Sequence, residues 1–210
     1  SMWTGIELHS NDILEASINL SNCSIQNAHI GILDAEPAAF DLIVDGEYDP
    51  LAYLDGFTSE SWGADIVLDW CSFDACVLGF MLTNFEVFLP DIQDFQITNC
   101  TFSSPEYGLL DAQYLFGAEN DYPNNQYPWY GLANSQKRSF CGVLIAGARG
   151  PSVGNFGNGN TFENLETGVR CFRSSVDIFN NQFNNIQFGV HYSNYGRYWN
   201  HTPGVVITDN

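Results

Sequence analysis

Three carboxylates alternate along one stretch of the chain, as Asp45-x-Glu47-x-Asp49. In an extended segment they share one side, and in a turn they converge. Ca²⁺ takes several oxygen ligands and tolerates irregular geometry, so this stretch is a candidate calcium site. It is not an EF-hand loop, because no Gly at the sixth position or Glu at the twelfth follows. The alternative is a solvated acidic loop, since residues 33–65 hold many Asp and Glu and no Lys or Arg. A second stretch holds Tyr122, Tyr127, Trp129 and Tyr130, preceded by Tyr114 and Phe116 and stiffened by Pro123 and Pro128. Rigid rings among Asn and Asp suit a sugar: rings stack on the apolar face of a pyranose and amides bind its hydroxyls. The alternative is that these rings pack down as a cover. The remaining candidates are Arg170 and His191, with Arg173 and Tyr192 nearby in sequence. A cation beside an imidazole can serve proton transfer, and the alternative is a pair of surface residues.

The elements that must position these groups are announced by a motif that recurs five times. It is an aromatic or Ile, five residues, a Gly and an apolar residue: Ile25–Gly31–Ile32, Phe73–Gly79–Phe80, Phe102–Gly108–Leu109, Phe162–Gly168–Val169 and Phe183–Gly189–Val190. The interior is constant while the gaps between copies run from 21 to 60 residues. A fixed interior with elastic spacing predicts a solenoid whose loops grow outward from a constant coil.

Two apolar columns precede each aromatic. Seven residues before it stand Ile18, Ile66, Phe95, Asn155 and Val176, and five before it Leu20, Leu68, Ile97, Gly157 and Ile178. Period-two alternation is a strand with one buried face. The fourth copy breaks the pattern, so an irregular rung is expected there. Asn-rich turns follow on both sides of the aromatic, and Asn tolerates the left-handed backbone of a tight corner. Gly5-Ile6 and Gly142-Val143 look like further copies of the Gly step, giving seven passes and a length of roughly 30–35 Å. The expected fold is an all-β, single-stranded parallel β-helix over residues 1–210, with two long loop insertions. An antiparallel β-sandwich also uses short strands, but it does not explain identical residues returning to one phase.

Two residues after each Gly, a column reads Glu7, Leu33, Met81, Leu110, Leu144, Arg170 and His191. If the residue after Gly faces inward, this column faces outward, and its apolar members need a cover. The insertions are the natural cover. Cys23, Cys71 and Cys100 share another column, which predicts stacked thiols. Disulfides Cys71–Cys76 and Cys141–Cys171 are the alternative. No C-x-x-C pair points to zinc.

The stretches INLSNCSIQNAHIGI, FQITNCTFSSPEYGL, GNGNTFENLETGV and VDIFNNQFNNIQFGV resemble the right-handed parallel β-helix repeats of the pectate-lyase-like superfamily. WTGIEL resembles the opening of such domains in large secreted bacterial surface proteins. The resemblance covers nearly the whole chain and is specific to fold, because that superfamily spans lyases, glycoside hydrolases, tailspikes, adhesins and non-catalytic stalks. It implies an Arg or Lys base with Ca²⁺ for a lyase, or paired Asp residues for a hydrolase. The Gly-His-Gly and Arg-x-Lys motifs of the pectin hydrolases are absent.

The formal net charge is −19, from 25 acids against 6 Lys and Arg. Such a surface repels nucleic acid and anionic membranes, and the sequence has no transmembrane run. Both ends enter the repeat mid-coil, so the expectation is a part of a longer chain whose other parts are its neighbours. The reading is a non-catalytic secreted or cell-surface module, acting as stalk, adhesin or carbohydrate-contacting surface. Its expected partners are a polysaccharide or another surface protein, and Ca²⁺ is the only cofactor suggested. A polysaccharide lyase or glycoside hydrolase fragment is the alternative.

Overall fold

The computed structural model describes residues 5–8, 17–28, 30–34, 65–76, 78–83, 95–104, 139–146, 148–172, 174–193, 205–208 and 210. No helix occurs among the described residues. The strands form three sheets, and every strand pairing is parallel.

In spatial order, the first sheet contains β1 (Ile6–Glu7), β4 (Ile30–Asp34), β7 (Leu78–Thr83), β10 (Ser139–Ala146), β13 (Leu165–Phe172) and β16 (Phe188–Ser193). The second contains β2 (Ser17–Ser21), β5 (Asp65–Asp69), β8 (Phe95–Thr98), β11 (Arg149–Val153), β14 (Ser175–Phe179) and β17 (Val205–Thr208). The third contains β3 (Ser24–Gln26), β6 (Ser72–Asp74), β9 (Thr101–Ser103), β12 (Thr161–Glu163) and β15 (Gln182–Asn184). The chain visits first, second and third sheet in turn, then starts again one rung further on. Parallel neighbours cannot be joined by a tight hairpin. Here the crossover between them is the rest of the coil, and the result is a parallel β-strand solenoid.

Burial follows the alternation read from sequence. In β5, Ile66 and Leu68 are buried between half-exposed neighbours. The register then stacks like on like: Ile18 against Ile66 and Leu20 against Leu68. In the third sheet Ile25, Phe73, Phe102, Phe162 and Phe183 form one column. Phe73 and Phe102 stack at 4.7 Å between ring centroids, Phe102 and Phe162 at 5.0 Å, and Phe162 and Phe183 at 5.2 Å. The rung spacing of about 4.8 Å sets that separation.

The Gly of the motif is explained by the neighbouring coil. A Cβ on Gly31 would lie 2.7 Å from the Phe73 ring, on Gly79 2.5 Å from Phe102, on Gly142 2.6 Å from Phe162 and on Gly168 2.5 Å from Phe183. Each Gly thus clears space for the ring of the coil that follows, not for the ring six residues before it. Gly189 differs, since its nearest atom is Phe183 at 3.4 Å.

Two sequence assignments are corrected. β7 pairs directly with β10, with Phe80 opposite Val143 and Met81 opposite Leu144. No rung lies between Gly79 and Gly142, so Gly142 is the Gly step that follows Phe102. Gly108 and Leu110 lie outside the described residues, and the first sheet has six strands among those described. In the fourth rung, Val153 stands opposite Ile97 and Ile178, where Gly157 was expected. The corner there holds residues 154–159, against only Thr98 and Asn99 in the preceding coil, so counting back from Phe162 fails.

The corner between second and third sheets repeats with left-handed residues: Asn22 (φ 56°), Trp70 (φ 55°), Asn99 (φ 53°) and Asn180 (φ 54°). Asn tolerates this region, whereas a bulky ring there is strained by about 1–2 kcal/mol. The next corner uses Asn27, Ala75, Asn164 and Asn185 in the same conformation.

Just past the first of these corners lies a polar column inside the coil. Backbone bonds from Ser72 to Cys23 O, Thr101 to Cys71 O, Thr161 to Cys100 O and Gln182 to Asn160 O fix its members on successive rungs. The expected thiol column is present, and it continues as asparagines. Cys71 Sγ donates to Leu20 O (3.4 Å), and Asn160 Nδ2 donates to Ile97 O (2.8 Å) in the same role. Asn181 Nδ2 donates to Val153 O (2.9 Å), and Asn210 Nδ2 to Ile178 O (3.0 Å). All six cysteines are free. Cys141 stands opposite Thr167 and Cys171 opposite Ile145, which leaves them off register for a bridge.

Candidate functional site

The first sheet carries the catalytic-type candidates. β13 and β16 pair with Arg170 opposite His191 and Cys171 opposite Tyr192. The column two residues after Gly is therefore real from Glu7 and Leu33 through Met81 and Leu144 to Arg170 and His191. Leu33, Met81 and Leu144 are buried yet stand apart from the inner core cluster. The column is thus covered as its apolar content demands.

The structure adds a residue that sequence reasoning missed. Glu166, on the same strand as Arg170, is only 7 % exposed. Burial pushes its carboxyl up to about 7, and the nearby Arg170 guanidinium opposes the shift. His191 is held below its ordinary value, first by burial and then by Arg170. Tyr192 is raised, by burial first and then by the Cys171 sulfur. The Cys141 thiol is also driven up by burial, with Arg170 opposing. Phe188 tilts over the His191 ring at 5.6 Å. A carboxyl pushed towards neutrality by burial, with a guanidinium acting on it, has the pKa of a proton-transfer group. Its access is poor, because so little of Glu166 reaches solvent. Only a Glu set into the β13 pattern, two residues before Gly168, could have signalled it.

The buried thiols are inert by the same physics. Burial pushes Cys76 up to about 11 and both Cys100 and Cys171 up to about 12. Few thiolates exist at neutral pH under those conditions. Among the described residues no three His, Cys, Asp or Glu side chains are grouped to hold a metal ion. Asp45, Glu47 and Asp49 lie outside the described residues, as do Tyr122, Tyr127, Trp129, Tyr130 and Arg173. No helix among the described residues is long and apolar enough to cross a membrane.

No family model matches the chain, no curated protein is significantly similar to it in sequence, and no solved structure is significantly similar to it in fold.

Proposed function

We propose that the chain is a right-handed, pectate-lyase-like parallel β-helix module of a secreted or cell-surface protein, non-catalytic and in contact with carbohydrate. The observation that carries this reading is the chemistry of the corners. Asn22, Asn99 and Asn180 recur at one, and Asn27, Asn164 and Asn185 at the next. Asn164 Oδ1 accepts from Asn185 Nδ2 at 2.7 Å, so two of these amides pair on the outside. Amides present donors and acceptors to sugar hydroxyls without charge. The rings at Tyr122, Tyr127, Trp129 and Tyr130 supply stacking surface in this reading, and Asp45, Glu47 and Asp49 are its Ca²⁺ ligands. Partners in this reading are a polysaccharide or another surface protein.

A second reading, a polysaccharide lyase or glycoside hydrolase, is favoured by one observation. Arg170 stands opposite His191 on adjacent strands, and Glu166, on the same strand as Arg170, has a carboxyl pushed up to about 7 by burial. One experiment separates the two. The chain is incubated with neutral and uronate polysaccharides, with calcium or with chelator, and both retention and new chain ends are measured. The module reading expects retention without chain ends. Chain ends that vanish in Glu166→Gln would establish the enzyme instead.

A further inference from the structure

We propose that the corner between the second and third sheets is a binding ridge for a neutral, hydroxyl-rich glycan chain, with Trp70 and Phe156 as its ring platforms. The proposal rests on the carbohydrate-contacting reading above and adds a second contact to the one at residues 122–130.

The first argument is Trp70. It adopts φ 55° where Asn22, Asn99 and Asn180 stand in other coils. The corner asks for Asn, and a tryptophan there is strained. Burial does not compensate the strain, because 63 % of its surface is exposed. Strain kept at an exposed ring points to a use for the ring.

The second argument is the way Phe156 is held. Its corner is four residues longer than that of the preceding coil, where Val153 is opposite Ile97 and Asn160 continues the column of Cys100. Asn155 and Asn158 exchange both backbone hydrogen bonds, at 3.1 and 3.2 Å, and Gly157 takes φ 98° between them. This is a tight turn with Phe156 near its tip, 77 % exposed. One side of the ring rests on Phe179 at 4.9 Å. Asn180 Nδ2 anchors the turn through Asn155 O at 2.7 Å. The ring is thereby stiffened in an outward position, which lowers the entropy lost on binding.

The third argument is spacing. β5, β8 and β11 are consecutive in the sheet, so the two corners start two rungs apart, about 10 Å along the axis, with the Phe156 ring leaning on Phe179 of the rung beyond. That is the reach of a short run of pyranose units. Between them stand Thr98 and Asn99, which both donate to Asp69 Oδ1, at 2.9 and 2.8 Å. Rings meet the C–H faces of sugars, and the amide and carboxylate oxygens between them accept hydroxyl protons. Asp69 and the formal net charge of −19 select against a polyanion.

The test is affinity electrophoresis in gels cast with xylan, mixed-linkage β-glucan or galactomannan, with polygalacturonate as the anionic comparison. Trp70→Asn restores the residue of the other corners, and Phe156→Ser alters an exposed tip, so either variant folds without the other. The expected result is retention by at least one neutral polysaccharide, weakened about ten-fold or more by each substitution. The melting temperature of Trp70→Asn should be equal to or above that of the wild type. Retention unchanged within about two-fold in both variants would overturn the ridge while the carbohydrate reading stands. Retention by none of the neutral polysaccharides would overturn both, and a preference for polygalacturonate would overturn the assigned ligand class.

Discussion

Glu166 shows how a single residue reports on the fold around it. Its carboxyl sits at about 7 in the folded chain, against 4.5 ordinarily. Between those values the folded chain keeps a proton that the unfolded chain has released. Stability from this group is therefore complete at pH below 4.5, falls as pH rises towards 7, and is level above it. The fall amounts to about 3 kcal/mol. His191 acts with the opposite sign, because its lowered value costs stability as pH drops below 6.5. The Arg170 guanidinium opposes the effect of burial on Glu166 and adds to it on His191. Glu166→Gln fixes the neutral form at every pH. In urea unfolding, the wild type should lose about 3 kcal/mol more than this variant between about pH 4 and 8. Equal losses would mean that the carboxylate is ionised in the fold. Nothing in the spacing of the repeat announces this residue, since charge at one strand position is ordinary until burial is known.

At the scale of the element, the inner ladder is the feature most open to test. Asn181 Oδ1 accepts from the Asn160 backbone N–H and from Asn160 Nδ2, and Asn181 Nδ2 donates to Val153 O. Asn181→Ala orphans a buried donor and a buried acceptor, a loss of about 2–4 kcal/mol. Asn181→Cys brings in the residue that fills the same column at Cys71 and Cys100, whose thiol donates weakly along the coil. It should cost less than Asn181→Ala in denaturant unfolding. Equal costs would show that the ladder bonds contribute little.

The strands, the ring stack, the thiol column and both corners were legible in sequence, because a solenoid returns each residue to one phase. Legibility failed where loops change length. The long stretch after Phe102 made Gly108 look like the Gly step that Gly142 supplies. The lengthened corner at 154–159 displaced Val153 from its expected count. Trp70 was readable as a corner residue but not as a strained and exposed one, since that requires φ and burial together.

At the scale of the molecule, every site position follows from one register. Arg170 meets His191, and the corner of Trp70 starts two rungs from that of Phe156, only if the coils stack as described. That register makes a specific statement: Gly31, Gly79, Gly142 and Gly168 each clear the ring of the next coil. Gly79 belongs in sequence to the motif of Phe73, but a Cβ there would lie 2.5 Å from Phe102. A double-mutant cycle measures this directly, with Gly79→Ala combined in turn with Phe102→Ala and with Phe73→Ala. Phe102→Ala alone should cost about 3–5 kcal/mol. The account predicts that Gly79→Ala is strongly destabilising in the wild type and less so beside Phe102→Ala, a coupling of about 1 kcal/mol or more, with the rest of the cost kept by the Gly142 carbonyl oxygen, 2.6 Å from the added Cβ. The pair with Phe73 should couple weakly. Coupling of Gly79 to Phe73 and not to Phe102 would contradict the register and every site built on it.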